Sequence, residues 1–292
     1  HPSCPRFLQG DPHRIRQVLL NLLGNAIKFT QSGYVGLLVD VVDADDVVLA
    51  DQSVHPDLAT DMAWIRFQVV DTGVGIPLEH QADLFQFFAQ ADQSVSRRFG
   101  GTGLGLAISR GLAEAMSGHI QLSSEAGQGT TFNVCLPLQK QNQTAVYQRP
   151  ATLGTVEFLL FDHLPINVLG LRQLFEYFGL ACQTDTNLQQ MTARIQALLA
   201  QQIRPMLLID HQLLADLSLR DWVSESMIRA CDWVLLSRQP RRSIPLRQLE
   251  GFAGFVQKPL RVEHLWAEVL GLVNQQSDTV LDDPEWVVQS EA

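Results

Sequence analysis

Residues 11–30 read DPHRIRQVLLNLLGNAIKFT, and both faces of a single helix are visible in them. Asp11 is a good N-cap, and Pro12 suits the first helical position, where a missing N–H is no loss. Ile15, Val18, Leu19, Leu22, Leu23 and Ala26 recur at helical spacing and form an apolar stripe. Gln17, Asn21, Asn25 and Lys28 form a second stripe, more than a quarter-turn away at about 100° per residue. A face of amides and one lysine is either a solvated surface or one wall of a polar ligand site. For the helix taken alone the solvated surface is the favoured reading, although such faces usually carry Glu and Lys rather than a pair of Asn.

Further along, 34–42 and 64–71 read as strands, the second with Ile65, Phe67 and Val69 on one side. The stretch between them holds Asp43, Asp45, Asp46, Asp51, Asp57 and Asp61 and is expected to be a solvated acidic loop. The second strand runs into Asp71-Thr72-Gly73-Val74-Gly75-Ile76-Pro77. Glycines there let the backbone pass close to a ligand, and Asp71 is placed to accept a hydrogen bond from an exocyclic amine. An aromatic cluster follows at 84–88 (LFQFF), then FGGTGLGL at 99–106 ahead of a helix over 104–116. Glycines before a helix start suit a phosphate cradle, because free N–H groups and the helix dipole face the anion. Residues 119–123 and 130–136 read as a hairpin around EAGQG.

Taken in order, these segments resemble the ATP-binding catalytic domain of sensor histidine kinases, within the gyrase/Hsp90/MutL ATPase superfamily. The resemblance covers residues 8–138. Its N box is DPHRIRQVLLNLLGNAIKFT, its G1 box DTGVGIP, its F box LFQFFAQAD and its G2 box RRFGGTGLGLAIS. It implies that Asn25 ligates the Mg²⁺ bridging the nucleotide phosphates, with Asn21 and Lys28 approaching those phosphates. It implies that Asp71 binds the adenine amino group above Gly73 and Gly75. Gly101, Thr102, Gly103, Leu104 and Gly105 match the phosphate-binding lid, Arg98 is a candidate phosphate contact, and Thr131 matches a polar residue near the adenine. Hydrolytic members of the superfamily carry a Glu one turn before the metal-ligating Asn. Here that position is Asn21, which is no base at neutral pH, so transfer to an external nucleophile is favoured over hydrolysis.

A second block alternates short apolar runs with helical stretches. VEFLLF (156–161) leads to Asp162, 206–209 to Asp210, 233–236 to Ser237, and 252–257 to Lys258-Pro259, before a helix over 262–273. That pattern argues for a parallel sheet with helices on both faces and a site at the strand C-terminal ends. Over 153–273 it resembles a response-regulator receiver. The resemblance implies that Asp210 is the phosphoacceptor and that Asp162 and Asp210 hold Mg²⁺. It gives Ser237 and Lys258 to the phosphoryl oxygens and makes Phe255 the aromatic switch position. There are departures from the family. His163 replaces the second adjacent acid, Arg238 follows Ser237 where a small residue is usual, and Leu213-Leu214 stand in place of Met-Pro. A degenerate receiver kept for contacts and an active one both stay open. No second His or Cys joins His163 in sequence to suggest a transition-metal site.

The expected fold class is therefore α/β: a two-layer α/β sandwich ATP-binding domain (1–138), a Gln-rich linker (139–152), a flavodoxin-like parallel-sheet receiver or pseudo-receiver (153–273), and an acidic tail (274–292). The chain carries 21 Lys and Arg against 31 Asp and Glu, a formal charge of −10, which argues against nucleic-acid binding by general phosphate attraction. The four cysteines are far apart in sequence and form no CxxC pair, which suits a reducing compartment. No stretch approaches the ~18 uninterrupted apolar residues of a membrane span, so no membrane contact is expected. The first residue is not Met, and no histidine lies in a phosphoacceptor setting. The expectation is a cytoplasmic fragment of a hybrid sensor histidine kinase that uses ATP and Mg²⁺, the whole protein free or anchored in an inner membrane. Its partners would be a histidine-bearing dimerisation domain, in a homodimer, and a downstream response regulator or phosphotransfer domain. Two alternatives are an ATP-hydrolysing switch and a non-catalytic module controlling a partner kinase.

Overall fold

The computed structural model describes residues 1–42, 61–86, 104–141, 153, 156–185, 187–215 and 217–276. The chain divides into two compact units near residue 145. Arg98, Gly101, Thr102, Gly103, most of the expected acidic loop and the rest of the aromatic cluster lie outside the described residues, as do most of the expected linker and tail.

The first unit contains β1 (Leu8–Gln9), α1 (Pro12–Phe29), β2 (Val35–Val42), β3 (Met62–Asp71), α2 (Leu78–Gln81), α3 (Gly105–Ala115), β4 (His119–Glu125) and β5 (Gly129–Lys140). Asp11 caps α1 by accepting from the His13 and Arg14 N–H groups, as its sequence anticipates. β5 is the hub of an antiparallel sheet. It pairs with β3 along one edge, and with β4 and then β1 along the other, while β2 extends the sheet beyond β3. Alternation sorts the side chains. Ala63, Ile65 and Val69 of β3 and Phe132, Val134, Leu136 and Leu138 of β5 meet Val18, Leu22 and Ala26 of α1 and Ala113 of α3.

The second unit contains β6 (Phe158–Phe161), α4 (Pro165–Tyr177), β7 (Cys182–Thr184), α5 (Leu188–Ala200), β8 (Met206–Asp210), α6 (His211–Leu214), α7 (Leu219–Trp222), α8 (Glu225–Ala230), β9 (Asp232–Ser237), α9 (Leu246–Leu249), β10 (Gly254–Gln257) and α10 (Val262–Gln276). Its sheet is parallel, in the order β10-β9-β8-β6-β7. The central strands are apolar on both faces because both are covered. Phe158, Leu160 and Leu208 pack with Phe175 of α4 and Trp266 of α10. Leu159, Leu207 and Ile209 pack with Ile195 of α5 and Met227 of α8 on the other side. This is the expected flavodoxin-like arrangement.

Some boundaries differ from expectation. β5 continues to Lys140, because the backbones of Gln139 and Lys140 pair with Gln9 and Leu8, so the first residues of the expected linker are strand. α10 runs on to Gln276, into the expected tail. β10 begins at Gly254: the Phe252 N–H makes a turn bond to the Leu249 carbonyl, and the Ala253 N–H donates to the Trp233 carbonyl of β9 just ahead of the ladder. No helix among the described residues is long and apolar enough to cross a membrane.

Leu22 is 0% exposed and Leu20, on the same helix, is 64% exposed. Leu22→Ala is expected to cost about 2–5 kcal/mol in urea unfolding. Leu20→Ala should stay within about 0.5 kcal/mol of the parent.

Candidate functional site

In the first unit the site grows from the end of β3. Asp71 pairs with Thr130 of β5, so the two side chains share the helix-facing side of the sheet, continuing the line of Val69 and Phe132. Asp71 is only 7% exposed. Its Oδ1 accepts the Gly73 N–H at 2.8 Å. Burial pushes this carboxyl above its ordinary value, and hydrogen bonds from the Gly73 and Thr130 N–H groups offset part of that rise.

The turn after Asp71 is held close on two sides. The Val74 N–H donates to the Phe29 carbonyl at the end of α1. The Ile76 N–H donates to Ser124 Oγ, and the Gly127 N–H to the Val74 carbonyl. A Cβ at Gly73 would lie 2.5 Å from the Phe29 carbonyl oxygen, and one at Gly75 (φ +65°) 1.9 Å from that of Glu125. Glycine is therefore required at both positions. The same clamp brings the C-terminal end of α1, at Phe29, to the turn after Asp71.

Asn21 takes a different part. Its Nδ2 donates to Ser109 Oγ of α3 at 2.8 Å, and a Cβ at Gly105 would lie 2.3 Å from its Oδ1. Asn21 and Gly105 thus fix the approach of α1 to α3. Asn25 is partly buried one turn further on, and Lys28 Nζ lies 4.9 Å from the Phe29 ring centroid. Leu104 occupies the N-cap of α3 with no side-chain cap bond.

Thr131 falls on the opposite face of the sheet from Asp71, because it pairs with Val70. Thr130 is the residue beside Asp71, 6% exposed, its hydroxyl 2.9 Å from Ser124 Oγ. The signal was available: Thr130 shares the parity of Phe132 and Val134, the core residues of its strand.

In the second unit, Asp162, Asp210 and Lys258 meet at the C-terminal ends of the parallel strands, where Ser237 ends β9. The Lys258 ammonium donates to Asp162 Oδ2 at 2.6 Å and to Asp210 Oδ2. The Asp162 and Asp210 side chains are 0% and 3% exposed. Asp162 also accepts from the Leu164 N–H and Asn167 Nδ2, and Asp210 from the Gln212 N–H. His163 Nδ1 faces the remaining oxygens, 3.2 Å from Asp210 Oδ1 and 3.7 Å from Asp162 Oδ1.

Ser237 is buried, and its hydroxyl is engaged away from Asp210. It accepts the Gln239 N–H and lies 3.2 Å from His211 Nδ1. The other His211 ring nitrogen meets Gln248 Oε1 at 3.1 Å, and Gln248 Nε2 donates to the Ala215 carbonyl. Sequence spacing gave no sign of His211 or Gln248, which reach Ser237 only through the fold. Phe255 is partly buried against the cluster of Leu214, Leu235 and Ile244. Arg238 is exposed.

Residues 10–140 match the family described as histidine kinase-, DNA gyrase B- and HSP90-like ATPase. This segment is a histidine kinase-like ATPase domain. The chain is 35% identical over 189 residues to the sensor protein GacS of Pseudomonas syringae pv. syringae, covering 65% of this chain and 19% of that protein. It is 39% identical over 155 residues to the hybrid signal transduction histidine kinase K of Dictyostelium discoideum, covering 51% of this chain and 12% of that one. The chain therefore spans less than a fifth of either relative. The crystal structure of full-length ShkA in complex with AMPPNP is similar over 96% of this chain and 51% of its own, at TM-score 0.67 and 27% identity. Of the two relatives, the first is named a sensor protein and the second a hybrid histidine kinase.

Two predictions follow from these geometries. The folded state holds the Asp71 proton more tightly than the unfolded chain does. The ionised carboxylate therefore costs stability at neutral pH, and that cost fades as the pH falls through the raised value. Nucleotide-free Asp71→Asn is expected to unfold at pH 7 at a urea concentration equal to or above the parent's, with the gap closing in acid. In the second unit, Lys258→Met leaves two buried carboxylates side by side. It is expected to cost about 3–5 kcal/mol at neutral pH in the same measurement.

Proposed function

We propose that the first unit binds Mg-ATP and donates its γ-phosphoryl group to a histidine on a dimerisation domain outside this chain. The observation that carries this reading is the clamp at the end of β3. It holds a buried acceptor, Asp71, where the following turn meets the end of α1 at Phe29, with the start of α3 approaching α1 at Asn21. When bound, the nucleotide supplies a reactive phosphoanhydride and the metal a charge that bridges its phosphates.

The chain's own residues do the rest. Asp71 and Thr130 offer a carboxylate and a hydroxyl to the edge of a purine. Gly73 and Gly75 keep the backbone low under the base. The Asn25 amide oxygen suits a hard cation that keeps most of its waters. Lys28 and the first amides of α3 compensate phosphate charge. Arg98, Gly101, Thr102 and Gly103 are proposed to complete the phosphate side. Asn21 offers no base to activate water, which favours transfer over hydrolysis. The expected partners are the histidine-bearing dimerisation domain, in a homodimer, and a response regulator or phosphotransfer domain. The expected compartment is a reducing cytoplasm. In support, Cys135, Cys182 and Cys231 are free thiols pushed by burial up to about 11, 12 and 12, and so are unreactive.

The second unit is proposed as a regulatory pseudo-receiver. His163 stands where a carboxylate would complete an Mg²⁺ site, and Ser237 is tied to His211 rather than turned toward Asp210.

Calorimetric titration with a non-hydrolysable ATP analogue tests the first reading. Binding is expected to require Mg²⁺ and to weaken at least about tenfold in Asn25→Ala, a loss of ~1.4 kcal/mol, with an unchanged circular dichroism spectrum. Normal binding by that variant would remove the box assignment, and fast steady-state hydrolysis would favour an ATPase switch. Asp210 is expected to label poorly from a small phosphodonor such as acetyl phosphate. Efficient Mg²⁺-dependent labelling, lost in Asp210→Ala, would instead make the unit an active receiver.

A further inference from the structure

The pocket of the second unit has a donor set that disagrees with the cation its fold family implies. Mg²⁺ takes oxygen ligands in near-octahedral geometry and is held by charge. Here Lys258 occupies Oδ2 of both aspartates, and the edge of the pocket away from Lys258 consists of Asp162 Oδ1, Asp210 Oδ1 and His163 Nδ1, each Oδ1 accepting one backbone N–H. Two carboxylates and one ammonium leave a single negative charge to attract a dication. An acid at position 163 would leave two. The imidazole thus removes both the charge and the oxygen that Mg²⁺ requires.

The same exchange favours a different class of ion. We propose that Asp162, His163 and Asp210 form a binding site for a first-row transition dication of borderline softness, such as Zn²⁺ or Co²⁺. Imidazole nitrogen with carboxylate oxygen is a usual donor set for these metals. The three residues bring one ligand atom each to within 4.8 Å of one another. The nitrogen–oxygen separations of 3.2 and 3.7 Å subtend about 100° and 120° at a metal about 2.1 Å from each atom, within the range of four- to five-coordinate sites.

The surroundings support the same assignment. Asp162 is oriented by the Leu164 N–H and Asn167 Nδ2, and Asp210 by the Gln212 N–H, so each carboxylate is already aimed by an outer partner. His163 has 35% of its side chain exposed, which gives an ion and its waters a path in. His211, the other nearby imidazole, takes no part, since its two nitrogens face Ser237 and Gln248. In sequence no second His or Cys joins His163. The parallel sheet adds Asp210 to the neighbouring Asp162, by ending β6 and β8 side by side. The inference does not rest on the ATP-site reading, and Asn25→Ala leaves it untouched.

The test uses the full chain without nucleotide. Co²⁺ is titrated by its visible absorption, in parallel with Mg²⁺ competition. Mn²⁺ is added as a paramagnetic probe, and electron spin echo envelope modulation reports nitrogen coupled to it. The expected result is one Co²⁺ per chain, bound at least about 100-fold more tightly than Mg²⁺, with a ¹⁴N coupling on Mn²⁺. His163→Asp, a change at a half-exposed side chain, should abolish the ¹⁴N signal and reverse the preference toward Mg²⁺. His163→Ala should lose the tight Co²⁺ site with unchanged unfolding. Mg²⁺ binding as tight as Co²⁺, or an unchanged ¹⁴N coupling in His163→Asp, would overturn the proposal. So would the absence of any metal binding in the parent, which would mean that His163 and Lys258 close the pocket themselves.

Discussion

The pairing of Asp71 with Thr130 across β3 and β5 is the constraint from which the first site follows. The residues before Asp71 on its face, and those after Thr130 on its own, are buried apolar side chains held against α1 and α3. Their hydrophobic burial fixes which way the pleat faces. A slip of one residue would turn the whole apolar set outward, so the register is strongly specified. The carboxylate thus lies on the helix side because of the core, at the point where the apolar layer runs out. It is an electrostatic liability there, relieved in part by two backbone N–H groups. The glycines at 73 and 75 follow from the same closeness: α1 and the β4–β5 hairpin approach the turn so tightly that no side chain fits.

The second unit solves the problem of collecting polar groups by other means. Its strands are parallel, so their C-terminal ends lie along one edge, and residues remote in sequence become neighbours there. Asp162 and Asp210 each follow a fully apolar run and Lys258 follows Phe255-Val256-Gln257, and each is delivered to that edge without needing local sequence neighbours. Two buried carboxylates so close are stable only with a cation between them. Lys258 supplies it on one edge, and His163 faces the other. The hydroxyl of Ser237, meanwhile, is held by its own network through His211 and Gln248 to the Ala215 carbonyl, a residue at φ +50°. The acidic pocket and the hydroxyl are thus separately supported.

What could be read from the sequence was whatever depends on short-range pattern. The Asp-Pro start and apolar period of α1 and the runs FLLF, MLLID and DWVLLS each name their own element. β7 escaped because Cys182–Thr184 is three half-buried residues at a sheet edge, with no apolar run to announce it. The end of β5 escaped because pairing is a backbone property, and Gln139 and Lys140 look like linker while hydrogen-bonding as strand. Parity with Phe132 puts Thr130, and not Thr131, on the face of Asp71, a signal that lies in the alternation of the strand itself. The partners of Ser237, His211 and Gln248, had no such signal. They are set by which strand ends lie adjacent, which spacing rules do not encode.

Asn21 shows how one substitution bears on both packing and chemistry. Its amide donates to Ser109 Oγ, whose residue is 1% exposed, and it occupies the space that Gly105 leaves open. A carboxylate in that place has no hydrogen to donate, so Ser109 would have to supply one. It would also set a fixed negative charge beside the start of α3, where the helix dipole otherwise favours an anion. The amide keeps that end of the helix attractive to phosphate and ties α1 to α3 at the same time. The side chain that would activate water in a hydrolytic relative is here part of the helix contact. On the function proposed above, a unit built this way would hold a phosphoanhydride with an amide, not a base, at position 21, and the attacking group would come from elsewhere.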